Sequence, residues 1–169
     1  MEEGKKYYWH VIYTKSRQEK KLAENYEESG IQYYLPLIKT IKQWSDRKKK
    51  VEEVLFKSYI FVYVSESEYY QALKFPGAVK YVSIEGKAAK IPENQIETIK
   101  NTLANKVEFT ISPDYFKKDK HVEIINGPLK GAKGEIISLN GKKKLLIRIE
   151  QIGYSLVVHV SPDSIKILK

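Results

Sequence analysis

The chain has 169 residues, of which 42% are hydrophobic, enough to bury the core of one ordinary domain or of two small ones. It has no cysteine, which excludes disulfides and thiolate metal sites; no run nears the roughly 18 apolar residues of a membrane-spanning helix, and MEEGKKYYWH lacks a signal-peptide core, so a cytoplasmic protein without membrane attachment is expected. The formal net charge of +9 is shared by residues 1–117, with 20 basic and 16 acidic side chains, and residues 118–169, with 10 and 5, a surface that favours polyanions.

YYWHVIYT (7–14) is apolar and aromatic, the pattern of a strand. Ser16 and Glu19 have capping-box spacing, Leu22, Ala23 and Tyr26 mark an apolar helical face, and Gly30 ends that helix. IQYYLPLIKTIKQW (31–44) and VEEVLFKSYIFVYV (51–64) read as two strands joined by the charged tip SDRKKK, with Pro36 placing the first at an edge or bulge. Ser65 and Glu68 repeat the capping-box spacing before a second helix that stops at Pro76-Gly77. AVKYVSIEG (78–86) is the next strand, and Pro92 opens a third helix with Ile96, Ile99 and Leu103 on one face. This is the β-α-β-β-α-β order of a ferredoxin-like fold, class α+β, with one sheet face uncovered.

EFTISPDYFKKD (108–119) has no clear period and reads as a linker. Beyond it, short strands near 120–125, 133–139, 143–149, 155–160 and 164–168 alternate with tight turns, one at Asn140-Gly141, as in a small SH3-like β-barrel. The expected division is therefore residues 1–107, a linker at 108–117, and residues 118–169. Within INGPLKGAKGEI (125–136), Gly127, Gly131 and Gly134 resemble a phosphate loop only superficially: the first spacing is one short, Ala132 stands where the lysine belongs, and no hydroxyl follows. These glycines read instead as places where the backbone turns with positive φ or passes close to another segment.

No reactive constellation stands out. His10, His121 and His159 are far apart in sequence, the carboxylate pairs Glu27-Glu28 and Glu52-Glu53 sit at charged element ends, and no metal-ligand spacing occurs. No catalytic residue, metal or cofactor is assigned. FKSYIFVYV (56–64) is more informative, since alternation sends Phe56, Ser58, Ile60, Val62 and Val64 to one face and Lys57, Tyr59, Phe61 and Tyr63 to the other. The second set suits an exposed docking face, unless the C-terminal barrel or third helix covers it. The strand also matches part of the signature of RNA-recognition motifs, in which Tyr59 and Phe61 would stack bases; an RNA-binding module is the alternative.

WHVIYTKSRQEKKLAENY, LFKSYIFVYV, PGAVKYVSIEGK and DKHVEIINGPLKGAKGEI resemble, in order, the successive blocks of the NusG-type transcription elongation factors, an N-terminal NGN domain and a C-terminal KOW domain. IKTIKQWSDRKKKVEEVLF is most similar to the specialised paralogues, RfaH and the UpxY-type antiterminators of capsular-polysaccharide operons. The resemblance implies a monomeric, non-catalytic antitermination factor; a general NusG-like factor engaging Rho is the second alternative. It implies RNA polymerase clamp helices as the partner of Tyr13, Phe56, Tyr59 and Phe61, with Tyr81 a looser match. Lys57 and Ser58 stand where the family's F-P-x-Y block carries proline and Gly or Asn. The resemblance further implies the non-template DNA strand as partner of Lys15, Arg17 and Gln18, and places Tyr69 and Tyr70 near a base-reading segment whose residue types differ. Arg47 and Lys48, at the hairpin tip, are candidates for DNA contact or a solvated end. Gly127, Pro128, Gly131 and Gly134 match the structural KOW turn, and a further factor, such as a ribosomal protein, is implied at the KOW domain. RfaH itself can refold that domain as a helical hairpin; here the runs VEII, EIIS, LLIRI and LVVHV and their intervening glycines and prolines favour strands.

Overall fold

The computed structural model describes residues 5–113, 120–139 and 142–168, in two compact units, Met1–Ile91 and Pro92–Lys169. In chain order the first carries β1 (Tyr7–Thr14), α1 (Glu19–Glu28), β2 (Gln32–Tyr34), β3 (Leu37–Gln43), β4 (Lys48–Val54), β5 (Tyr59–Ser65), α2 (Tyr69–Ala72), β6 (Ala78–Tyr81), β7 (Ser83–Ile84), β8 (Lys87–Ala88) and β9 (Lys90–Ile91). Its main sheet has the order β2-β5-β1-β6, every pairing antiparallel, with β9 also on β1. Leu22, Ala23 and Tyr26 of α1 pack on Ile12, Ile60, Val62 and Val64, each well-buried side chain contributing about 1.5–3 kcal/mol. The buried Tyr26 hydroxyl is satisfied by donating to the Ala72 carbonyl at 2.7 Å.

Three local expectations shift. The strand read over 31–44 breaks at Leu35-Pro36 into β2 and β3, because proline lacks the N–H that a ladder needs. The strand read over 51–64 divides at residues 55–58 into β4 and β5. β3 and β4 pair only with each other, as a two-stranded ribbon. The Ser16–Glu19 capping box does not form: Gln18 is the N-cap, without a side-chain bond, and the Glu19 carboxylate accepts the Ser58 N–H at 2.6 Å. At Ser65 the Glu68 carboxylate does reach back, accepting the Ser65 N–H at 3.0 Å and hydroxyl at 2.7 Å. Those bonds, the backbone one foremost, hold the Glu68 pKa below its usual range.

The second unit contains α3 (Glu93–Ala104), β10 (Phe109–Pro113), β11 (His121–Ile124), β12 (Lys133–Leu139), β13 (Lys142–Ile149), β14 (Tyr154–His159) and β15 (Ile165–Ile167). Its six strands form one antiparallel sheet, β10-β14-β13-β12-β11-β15. Two boundaries differ from expectation. α3 groups with this unit rather than with the first, and residues 109–113 of the expected linker are a strand on β14; its residues from 114 on and the Asn140-Gly141 turn lie outside the described residues. The core holds Leu145, Leu146, Ile149, Leu156 and Val158, the β-branched and leucine-rich runs that favoured strands.

The glycine-rich segment is a hydrogen-bonded turn. The N–H groups of Lys130, Gly131 and Ala132 donate to the carbonyls of Gly127, Ile124 and Leu129 at 3.1, 2.7 and 2.9 Å, so these three are not turned toward an anion. Gly127 and Gly131 take φ of +82° and +87°, a region disfavoured for other residues. Gly134 serves the other purpose: a Cβ there would collide with the Leu146 carbonyl oxygen and lie 2.9 Å from Leu145 Cδ1. Gly134→Ala is therefore expected to destabilise this unit by about 2 kcal/mol, read as a lower midpoint in urea unfolding followed on residues 121–167; an unchanged midpoint would mean that β13 moves aside freely.

Candidate functional site

The register of β5 on β1 sets which aromatics share a face. Tyr13 lies opposite Tyr59, Val11 opposite Phe61, and Trp9 opposite Tyr63; in an antiparallel pair such partners project to the same side. This is the face away from α1, whose packing partners Ile12, Ile60 and Val62 alternate with them. Tyr13 and Tyr59 meet edge to face at 5.7 Å, and Tyr13 is 40% exposed. At the other end of the same face Tyr7 is exposed to a similar degree and stacks on the half-buried Tyr63 at 5.5 Å.

Other expected members of the docking surface are displaced. Phe61 is fully buried, flanked by Phe56 edge-on and Tyr34 stacked, each at 6.2 Å. Phe56 is buried too; it precedes the strand, so alternation does not govern it, and it packs on Phe61 rather than beside Ile60. Both rings are core and offer no contact surface. Tyr81 corrects a third expectation. It pairs with Ile12, hence points into the α1 side, where it stacks on Tyr69 at 4.0 Å and donates its hydroxyl to the Tyr69 carbonyl at 2.8 Å. Burial pushes its phenol pKa well up.

A tight corner positions the basic group. The Thr14 N–H donates to Ser58 O at 2.9 Å, the Lys15 N–H to Gly77 O at 2.8 Å, and the Gln18 N–H to Lys15 O at 3.1 Å. Arg17 and Ser58 both take positive φ, 62° and 66°, which costs energy for residues bearing a Cβ. At Ser58, where glycine or asparagine would be at ease, the charge-assisted bond to the buried Glu19 offsets that cost. The corner leaves Lys15, Arg17 and Gln18 exposed, next to the chain that carries Lys74 to Gly77 and to Lys57 before Ser58. Lys80 of β6 is in register with Tyr13. Lys57, Lys74 and Lys80, all exposed, are members of this basic border; the sequence placed Lys57 on the docking face and did not single out Lys74 or Lys80, which only the fold brings there.

Arg47 and Lys48 are not at this corner. They tip the β3–β4 ribbon, four residues past Glu52, whose carbonyl accepts from Lys20 Nζ at 2.7 Å, and so reach about 13 Å beyond it at 3.3 Å per residue. The ribbon is held by the Lys42–Glu53 ion pair at 2.6 Å and the Thr40 hydroxyl at 2.9 Å, which lower the Glu53 pKa, Lys42 foremost. Tyr69 and Tyr70 are elsewhere again. They follow Ser65, which pairs with Tyr7, at the end of β1 opposite Tyr13, about 20 Å away by the same rise.

Among the described residues no group of acidic or histidine side chains could hold a metal, and no helix is long and apolar enough to cross a membrane. Residues 7–100 match the family model described as "Transcription termination factor nusG", and over more than half its length the chain belongs to the NusG family. Such factors act in transcription elongation and antitermination, bind RNA polymerase and are generally non-enzymatic. The fold is similar to that of NusG from Thermotoga maritima, in a structure titled "Domain interaction in Thermotoga maritima NusG", with TM-score 0.52 and 23% identity over 97% of this chain and 98% of that one. Comparison with curated proteins returned no match.

Proposed function

We propose that the protein is an antitermination factor of the specialised RfaH/UpxY kind, docking on the clamp helices of RNA polymerase through Tyr13 and Tyr59. The observation that carries this reading is the pair itself, the exposed Tyr13 and half-buried Tyr59 meeting edge to face on the side of the sheet away from α1. Rigid aromatics bring large contact area at small entropic cost. The strand order β2-β5-β1-β6 supports reading the first unit as a ferredoxin-like NGN domain, and the all-antiparallel second sheet supports an SH3-like KOW domain. The basic corner would lie along the non-template DNA strand, so that one monomer bridges clamp and DNA and disfavours the opening that accompanies pausing. The KOW domain is then free for a further factor, such as a ribosomal protein. The burial of Phe61 weighs against an RNA-recognition sheet, which would need Phe61 as well as Tyr59 for stacking.

The test is single-round transcription by purified polymerase on a template with a strong pause. Wild-type protein is expected to shorten the pause, and a Lys15→Gln, Arg17→Gln double variant to need more protein for the same effect. Its recruitment should show a salt dependence flatter by about one to two units of log–log slope. Glutamine keeps a side chain of similar reach without charge and leaves the backbone at position 17 no more strained than arginine does. A wild-type slope in the variant would assign both cations to solvent, and unchanged pause lifetimes with wild-type protein would contradict the proposed function.

A further inference from the structure

We propose that the outer edge of β3 takes up an acidic, extended segment of a partner protein as a third strand of the β3–β4 ribbon. The ribbon pairs with no other strand among the described residues, and the polymerase reading leaves its basic tip without a role. The inference goes beyond that reading and does not depend on it.

Hydrogen bonds fix which backbone groups of the ribbon are engaged and which are open. The Trp44 N–H donates to the Arg47 carbonyl at 2.8 Å at the tip, and the Leu55 N–H to the Pro36 carbonyl at 2.9 Å at the base. In an antiparallel ladder bonded and non-bonded pairs alternate, so Ile38–Glu53, Thr40–Val51 and Lys42–Lys49 are the bonded pairs of this register. Lys39, Ile41 and Gln43 therefore aim their N–H and C=O groups outward from β3. By the same rule the Glu52 carbonyl points outward from β4, and there it accepts from Lys20 Nζ at 2.7 Å. Lys20 of α1 thus covers part of the β4 edge, while on the β3 edge Lys39, Ile41 and Gln43 are all exposed.

Side chains select the occupant. Residues 39–50 carry six basic side chains against one acidic, and Lys42 stands directly opposite Lys49, a like-charge pair that costs stability. Lys48, Lys49 and Lys50 have no ion-pair partner among the described residues. Such charge repels a second copy of this edge, as lysines on edge strands commonly do, and attracts an acidic strand. Ile41, 65% exposed, lies on the ribbon face opposite to Lys42 and Lys49. A strand that alternates acidic and β-branched residues suits both faces, with carboxylates beside Lys42, which Lys49 flanks, and an apolar side chain beside Ile41. A nucleic-acid backbone would meet the charge alone. Its phosphates accept but do not donate, so the outward carbonyls of Lys39 and Ile41 would gain nothing, whereas an added peptide strand pairs with both N–H and C=O groups.

The experiment titrates isotope-labelled full-length protein with a synthetic octapeptide that alternates glutamate and valine, without polymerase, and follows amide hydrogen exchange by nuclear magnetic resonance. Exchange at Lys39, Ile41 and Gln43 is expected to slow by about tenfold or more at saturation, while Thr40 and Lys42, already bonded to β4, change little. Ile41→Pro removes one outward donor, leaves the charge and the bonded pairs with β4 in place, and should weaken the peptide by about tenfold. Lys42→Gln with Lys49→Gln should weaken it by about fivefold, and a lysine–valine peptide of the same length should not bind. Binding without slowed exchange at the three alternate amides, or binding undiminished in Ile41→Pro, would reduce the contact to charge attraction and overturn the proposal. So would a glutamate–valine peptide that fails to bind, whether or not a DNA duplex perturbs the ribbon in its place.

Discussion

Tyr13→Ala with Tyr59→Ala is expected to abolish binding to RNA polymerase in a protein that remains folded. Each ring is accessible at the end of the sheet, so truncation removes contact area without opening the core. Aromatic hot spots cost about 2 kcal/mol or more apiece, and the pair together up to roughly a thousandfold in affinity, although such losses need not add. Titration of labelled protein with purified polymerase reads the effect directly. Phe61→Ala is the instructive contrast: its ring is fully buried, and truncation should cost about 3–5 kcal/mol of stability, so a loss of binding there would report unfolding. Wild-type affinity in the folded tyrosine double variant would remove this surface from the account.

The second large effect lies in the C-terminal unit. Arg148 grips Glu135 with two parallel bonds, Nε to Oε1 at 2.9 Å and Nη2 to Oε2 at 3.2 Å, and the two side chains are only 8% and 6% exposed. Gln95 of α3 donates to the Arg148 carbonyl in the same region. Arg148→Met should destabilise the unit by about 3–5 kcal/mol, because it takes both of these bonds from a buried carboxylate, whereas Arg148→Met with Glu135→Leu should recover most of that loss. Hydrogen exchange across residues 121–167 would measure both. Equal destabilisation by the single and double variants would show that packing, not pairing, carries the cost.

The C-terminal strands were legible because runs such as LLIRI and LVVHV are punctuated by glycine and proline, and local pattern and tertiary role coincide there. Around Phe56–Ser58 they do not. Period-two alternation assumes extended backbone, and Ser58 at φ 66° interrupts it, so Phe56 joined Phe61 on the side opposite to the one expected. Tyr81 was misplaced for a different reason: its face depends on pairing with Ile12, a register that its own neighbours do not encode. The segment 109–113 looked like a linker, yet Phe109 and Ile111 face Val158 and Leu156 across β14; pairing with a distant strand overrode weak local signal. The basic corner was half visible. Lys15 and Arg17 lie together in sequence, while Lys57, Lys74 and Lys80 come from three other segments that only the folded sheet assembles.

The central claim, that Tyr13 and Tyr59 are the polymerase contact, is tested most directly by nuclear magnetic resonance of the isotope-labelled full-length protein titrated with a folded fragment carrying the clamp helices. The account predicts shifts concentrated at Tyr13, Tyr59 and Lys80, weaker ones at Lys15 and Arg17, and none at Tyr70. Shifts centred on Tyr70 and Lys90, or on the β-strands of residues 121–167, with Tyr13 and Tyr59 unmoved, would contradict it.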